Sequence, residues 1–144
     1  MSRVRAIVLA PLALVAASCG IGSADVSAGF EVDRSGYRYA NLAGQDLRPL
    51  DFAGRDLSGA VLDGADLRGA DLTGAVLDLA SLAGVVLDGA SLVGVQAFGA
   101  DLRDVSAVGV DLSGANLRDA VLSDANLRAA VLSGTNLDGA IFHR

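Results

Sequence analysis

Side chains able to do chemistry are scarce in this chain. Cys19 is the only cysteine, His143 the only histidine, and every basic residue is arginine. Cys19 lies near the start and His143 beside the last residue, so they form neither a thiol–imidazole pair nor a metal-ligand spacing. No serine stands in a nucleophile-elbow setting, and no glycine-rich loop opens a helix. His143 reads as a solvated tail residue. Carboxylates are the exception. Asp46, Asp51, Asp56, Asp66 and Asp71 recur at multiples of five and give an acidic face to a chain of formal net charge −6. Such a face solvates a protein, imitates a polyanion or collects cations. Flat carboxylate surfaces seldom supply the roughly six to eight oxygens of a Ca²⁺ site. No catalytic residue, metal site or cofactor is assigned.

The spacing of those carboxylates is set by their neighbours. A large apolar residue recurs every five places from Leu42 through Leu47, Phe52 and Leu57 to Phe142, broken only at Ala97 and Ala107. Two places before each centre sits a small residue, usually Ala, sometimes Val as at Val85, Val95, Val105 and Val110; two places after it sits, most often, Gly. On an α-helix, steps of five advance by roughly 140° and scatter the leucines around the axis. On a straight strand, an odd spacing sends successive leucines to opposite faces. A short extended piece followed by a turn keeps every pentad equivalent, with the centre and the small residue both pointing inward. Glycine suits the turn because it reaches positive φ without steric cost. Units that cannot bury themselves alone must stack, which makes a solenoid.

Here the chain resembles the pentapeptide-repeat family, whose consensus A(D/N)LxG is matched by Ala65-Asp66-Leu67-Arg68-Gly69, Ala70-Asp71-Leu72-Thr73-Gly74 and Ala115-Asn116-Leu117-Arg118-Asp119. The resemblance implies an all-β fold, a right-handed quadrilateral parallel β-helix with four pentads per coil. That gives about five coils and a rod roughly 25 Å long at strand spacing. The core ladder is then Leu62, Leu67, Leu72, Leu77, Leu82, Leu87, Leu112, Leu117, Leu122 and Leu127. Asp46 comes to lie under Asp66 and Asp51 under Asp71, with Arg48 and Arg68 in a neighbouring column that offsets part of their repulsion. Gyrase-protecting members pair through their C-terminal ends. By that resemblance Leu132, Leu137, Ile141 and Phe142 form a dimer end; a frayed last turn is the alternative.

The repeat has irregular places. Gln45, Leu50 and Arg55 occupy small-residue positions, and Pro49 occupies a turn, so the first coil is expected to be ragged, with Arg55 at an irregular corner and Tyr37 and Tyr39 closing the end. An alanine at a leucine place leaves a void costing about 2.7–5 kcal/mol. A local bulge that swings Phe98 inward would cure the void at Ala97; otherwise Phe98 stays outside as an apolar spot.

Residues 1–18 read as a secretory signal peptide, with a basic start at Arg3 and Arg5, an apolar stretch from Ala6 to Ala17 and small residues after it. Val15-Ala16-Ala17-Ser18-Cys19 resembles a bacterial lipobox, which implies cleavage before Cys19 and lipidation of its thiol, although leucine is commoner at the place of Ala16. An ordinary signal peptide cut near Ser18 or after Ala24 is the alternative. Residues 19–36 form the lipidated cysteine and a Gly/Ser/Ala-rich tether, in which Phe30 and Val32 could cap the first coil. Residues 37–144 form the β-helix.

The expectation is a non-enzymatic, exported, lipid-anchored envelope scaffold or protein-binding module. It meets the membrane through its anchor, an unidentified envelope protein through its faces, and no nucleic acid. The alternative is a cytosolic, DNA-mimicking binder of DNA gyrase or topoisomerase, which needs an unprocessed N-terminus.

Overall fold

The computed structural model describes residues 37–143. The export segment, Cys19 and the tether with Phe30 and Val32 lie outside them. Each pentad is one extended stretch and one tight turn. The residue before each centre pairs in parallel with the residue twenty places on, from Asn41 with Val61 to Val121 with Ile141. A register of twenty places four pentads on each coil, and the chain is a right-handed quadrilateral parallel β-helix.

The bonding repeats around every centre. Leu42 N–H donates to the Val61 carbonyl at 2.7 Å, Gly44 N–H to the Asp63 carbonyl at 2.9 Å, and Val61 N–H to the Ala40 carbonyl at 2.9 Å. Gln45 N–H closes the turn onto the Leu42 carbonyl at 3.3 Å, with Gly44 at φ +66° as its third residue, the mark of a type II turn. Four faces result. The first carries the pentads centred on Leu42, Leu62, Leu82, Leu102 and Leu122; the second, Leu47, Leu67, Leu87, Ala107 and Leu127. The third carries Phe52, Leu72, Leu92, Leu112 and Leu132; the fourth, Leu57, Leu77, Ala97, Leu117 and Leu137.

Leu62, Leu67, Leu72, Leu77, Leu82, Leu87, Leu112, Leu117 and Leu122 are buried together with their small partners. Leu127 differs from that ladder. It is only partly buried, because no further coil covers it among the described residues.

One expectation is corrected, and one open alternative is decided. The first coil is not ragged: Arg55 N–H closes onto the Phe52 carbonyl at 2.9 Å, and the Arg55 carbonyl receives Val76 N–H at 2.8 Å. Arg55 is only partly buried, so its charge is not enclosed in the core. Tyr37 is buried and meets Phe52 edge-on with ring centroids 5.4 Å apart, whereas Tyr39 points outward. Nor is there a bulge at Phe98. Ala97 keeps the buried centre and Phe98 stays outside, 40% exposed.

The reason is that volume is balanced over the coil rather than the pentad. Coil 80–99 has Ala97 at one centre but Val85 and Val95 at two small places; coil 100–119 has Ala107 at one centre but Val105 and Val110. Each Ala-to-Val exchange adds two carbons and each Leu-to-Ala exchange removes three, so both coils hold nearly the same apolar volume as coil 60–79. What remains is a cavity of about 20 Å³, lined by residues that include Leu87, Val105, Ala107 and Leu112. At about 24 cal/mol per Å³ its cost is only about 0.5 kcal/mol.

Candidate interaction surfaces

Asp in the place before a centre has a local task. Its carboxylate accepts the N–H two residues on, as at Asp51 to Ala53 (2.9 Å), Asp71 to Thr73 (2.9 Å) and Asp111 to Ser113 (2.9 Å). Asn41, Asn116, Asn126 and Asn136 do the same, so the task needs an oxygen and not a charge.

A second arrangement serves pentads that lack such a residue. Val61, Val76 and Val86 stand before their centres, and Asp63, Asp78 and Asp88 stand after them. These carboxylates reach up one coil instead. Asp63 accepts Ala83 N–H at 3.0 Å and the Ser81 hydroxyl at 2.6 Å; Asp88 accepts Val108 N–H at 2.9 Å and the Ser106 hydroxyl at 2.7 Å; Asp78 accepts Phe98 N–H at 2.9 Å. Composition alone counts these three as surface acidity, but they tie coil to coil. The order Val-Leu-Asp in place of Asp-Leu-x is the signal that distinguishes them.

The five carboxylates expected on one acidic face do not share one. Asp46 and Asp66 lie on the second face, Asp51 and Asp71 on the third, and Asp56 on the fourth, because each pentad turns the chain a quarter of the way round. The predicted pairs Asp46 with Asp66 and Asp51 with Asp71 are adjacent, but Val86 follows Asp66, Ser91 follows Asp71 and Val76 follows Asp56. Arginine neutralises the second-face pair. Arg48 meets Asp46 at 2.7 Å and Asp66 at 3.5 Å, and Arg68 meets Asp66 at 2.6 Å; on the first face Arg103 meets Asp101 at 2.5 Å. The Arg68 guanidinium, hydrogen-bonded to Asp66, holds that carboxyl at about 2. Arg48 lowers Asp46 and Arg103 lowers Asp101 by the same contact, while hydrogen bonds from Ser58, Thr73 and Ser113 lower Asp56, Asp71 and Asp111. Among the described residues no group of His, Cys, Asp or Glu is placed to hold a metal ion.

Among the described residues, exposed large apolar side chains gather mainly in two places, with Val61 standing apart on the first face. Leu132 and Ile141 are each 40% exposed and Phe142 is 52% exposed at the upper end, with Leu137 partly buried beside them. Phe142 and His143 border a recess with Leu122, Asp124, Ala125 and Asn126, and the His143 carbonyl accepts Asp124 N–H at 2.9 Å. The second place is the fourth face, where Leu79 and Phe98 stand out.

Comparison with known proteins fits this geometry. The family described as pentapeptide repeats matches residues 38–74, 65–104 and 108–144, in eight copies. Similar solved structures are those of pentapeptide repeat proteins. Rfr23 from the cyanobacterium Cyanothece 51142 shares 31% identity over 60% of this chain and 63% of its own, with a TM-score of 0.35. HetL from Nostoc sp. strain PCC 7120, involved in heterocyst differentiation regulation, shares 32% over 73% and 62%, with a TM-score of 0.38. A protein of the Arabidopsis thaliana thylakoid lumen shares 31% over 69% and 66%, with a TM-score of 0.35. Each match spans less than two thirds of the relative's own length. Among curated proteins nothing matches. With most of its length in register with that repeat, the chain belongs to the pentapeptide-repeat family.

Proposed function

We propose that this chain is a non-catalytic scaffold of the bacterial envelope, exported by residues 1–18, anchored through lipid on Cys19 and held off the membrane by residues 19–36. Pentapeptide-repeat proteins are structural and binding modules. The observation that carries the reading is how the polar side chains are used. Oxygens of Asp46, Asp51, Asp63, Asp66, Asp88 and Asp101 cap turns, tie coils or hold Arg48, Arg68 and Arg103, which leaves rigid, flat faces that act by contact. The apolar end with Leu132, Leu137, Ile141 and Phe142 joins two copies end to end in this reading. The protein partner is a component of the same compartment.

A gyrase-binding DNA mimic calls for a continuous run of carboxylates. Here Asp46, Asp51 and Asp56 look out from three different faces, and the second-face pair is matched by arginine. Cell fractionation with mass measurement of the mature N-terminus tests the proposal. An acylated Cys19 in the membrane fraction is the expected result. An intact Met1 in the cytosol overturns it and directs attention to a gyrase supercoiling assay.

A further inference from the structure

The fourth face carries a contact surface with its own logic. Away from the upper end, the large hydrophobic side chains exposed among the described residues are Tyr39, Val61, Leu79 and Phe98, and all but Val61 stand on this face. Leu79 N–H donates to the Phe98 carbonyl at 2.9 Å. Leu79 is 68% exposed at φ +57°, so the chain accepts left-handed strain there with little burial in return. The coil bearing Phe98, residues 80–99, has no basic residue and one acidic one, Asp88, whose carboxylate is bonded to Ser106 and Val108.

Charge in the Phe98 column changes sign across it. Asp78 stands one coil below and Arg118 one coil above, in a register fixed by Leu79 N–H to the Phe98 carbonyl and Gly99 N–H to the Arg118 carbonyl, each 2.9 Å. A two-fold axis lying in the plane of the face at the height of Phe98 sets a second copy antiparallel. Phe98 then meets its own counterpart, and Asp78 of each copy faces Arg118 of the other. We propose that two copies associate weakly through this face, with Phe98 at the centre and two reciprocal Asp78–Arg118 pairs flanking it. An isologous contact uses one patch twice, as a two-fold requires. Asp78 gives one oxygen to Phe98 N–H, leaving Oδ2 for the pair. The Arg118 side chain is 61% exposed, with Nε 3.5 Å from Asp119 Oδ2. A face this narrow buries less than the about 1,200 Å² of stable complexes, so exchange is fast.

Gln96 lies in the same coil as Phe98 and faces itself across the axis, whereas Val86, in that coil on the opposite face, does not. In the full chain with Cys19→Ser, Gln96→Cys is expected to form a disulfide-linked dimer with oxidised glutathione at least about tenfold faster than Val86→Cys. Adding Arg118→Glu should slow it about tenfold, and so should Phe98→Ser. Mixing the Arg118→Glu and Asp78→Lys variants, each with Gln96→Cys, should restore the rate, because the unlike copies attract. Melting curves of each variant separate a lost contact from a lost fold, and Arg118→Glu alone suffices if Asp78→Lys unfolds. Equal crosslinking at positions 96 and 86, or indifference to Arg118→Glu, overturns the proposal. End-to-end pairing keeps the two Gln96 residues apart and cannot produce the expected pattern.

Discussion

The Cδ2 atom of Leu79 lies 2.9 Å from the point that a β-carbon on Gly99 would occupy. The same relation recurs along this corner. Tyr39 covers Gly59, with Cε1 at 2.5 Å from the corresponding point, and Asp119 covers Gly139. Residues with side chains at φ +56° to +58° thus alternate with glycines at one corner. On another corner, at Gly64 and Gly84, nothing lies within 4 Å of the point.

Leu79→Gly should therefore stabilise the fold by about 1 kcal/mol, since the left-handed penalty of roughly 1–2 kcal/mol outweighs the entropy that glycine costs. Gly64→Ala should destabilise by about 1 kcal/mol from strain alone, and Gly59→Ala by more because Tyr39 must also move. Denaturant melts give the order.

Balanced coil volumes make Ala97→Leu a harmful change on its own. Val85 and Val95 already fill the space, so overpacking should cost about 1–3 kcal/mol. The double change Val95→Ala with Ala97→Leu should recover most of that loss, giving a coupling energy of at least about 0.5 kcal/mol in a double-mutant cycle. Additive effects would show that the coil does not share its volume.

Asp63→Ala removes the acceptor for both Ser81 and Ala83 N–H. A loss of about 1–3 kcal/mol is expected, read by melting, and hydrogen exchange at Ala83 should quicken. Asp51→Asn keeps an oxygen for Ala53 N–H and should be nearly neutral by comparison.

Stability should fall in acid. Asp66 is held at about 2, and Asp46 and Asp101 are held below their usual range, by arginine. A carboxyl depressed in the folded state contributes above its unfolded pKa of about 3.9 and loses that contribution as pH falls through the folded value. Melting temperature should be flat above about pH 5 and drop from about pH 4 toward 2. Asp66→Asn should flatten part of that drop, and salt should weaken it.

Most of the architecture was legible because a single spacing decides it. Five is incompatible with a helix stripe and with a straight strand, so Leu67 and Leu122 had to lie inside a turning chain. The details that escaped all depend on neighbours twenty residues apart. Whether Phe98 turns inward depends on Val85 and Val95 as much as on Ala97. Whether an aspartate is surface charge or a tie between coils depends on which coil supplies the opposing N–H, as Asp51 and Asp63 show. The acidic face failed for the same reason: Asp46, Asp51 and Asp56 are close in sequence and point in three directions.

The twenty-residue register also sets how such a chain can change length. Insertion of one pentad between Asp78 and Arg118 would keep every leucine inside, yet it would rotate all that follows by a quarter turn and carry Arg118 onto another side. Only whole coils can be gained or lost without scrambling which residues look the same way. Growth of this molecule is therefore quantised by its surface, while its interior would accept smaller steps.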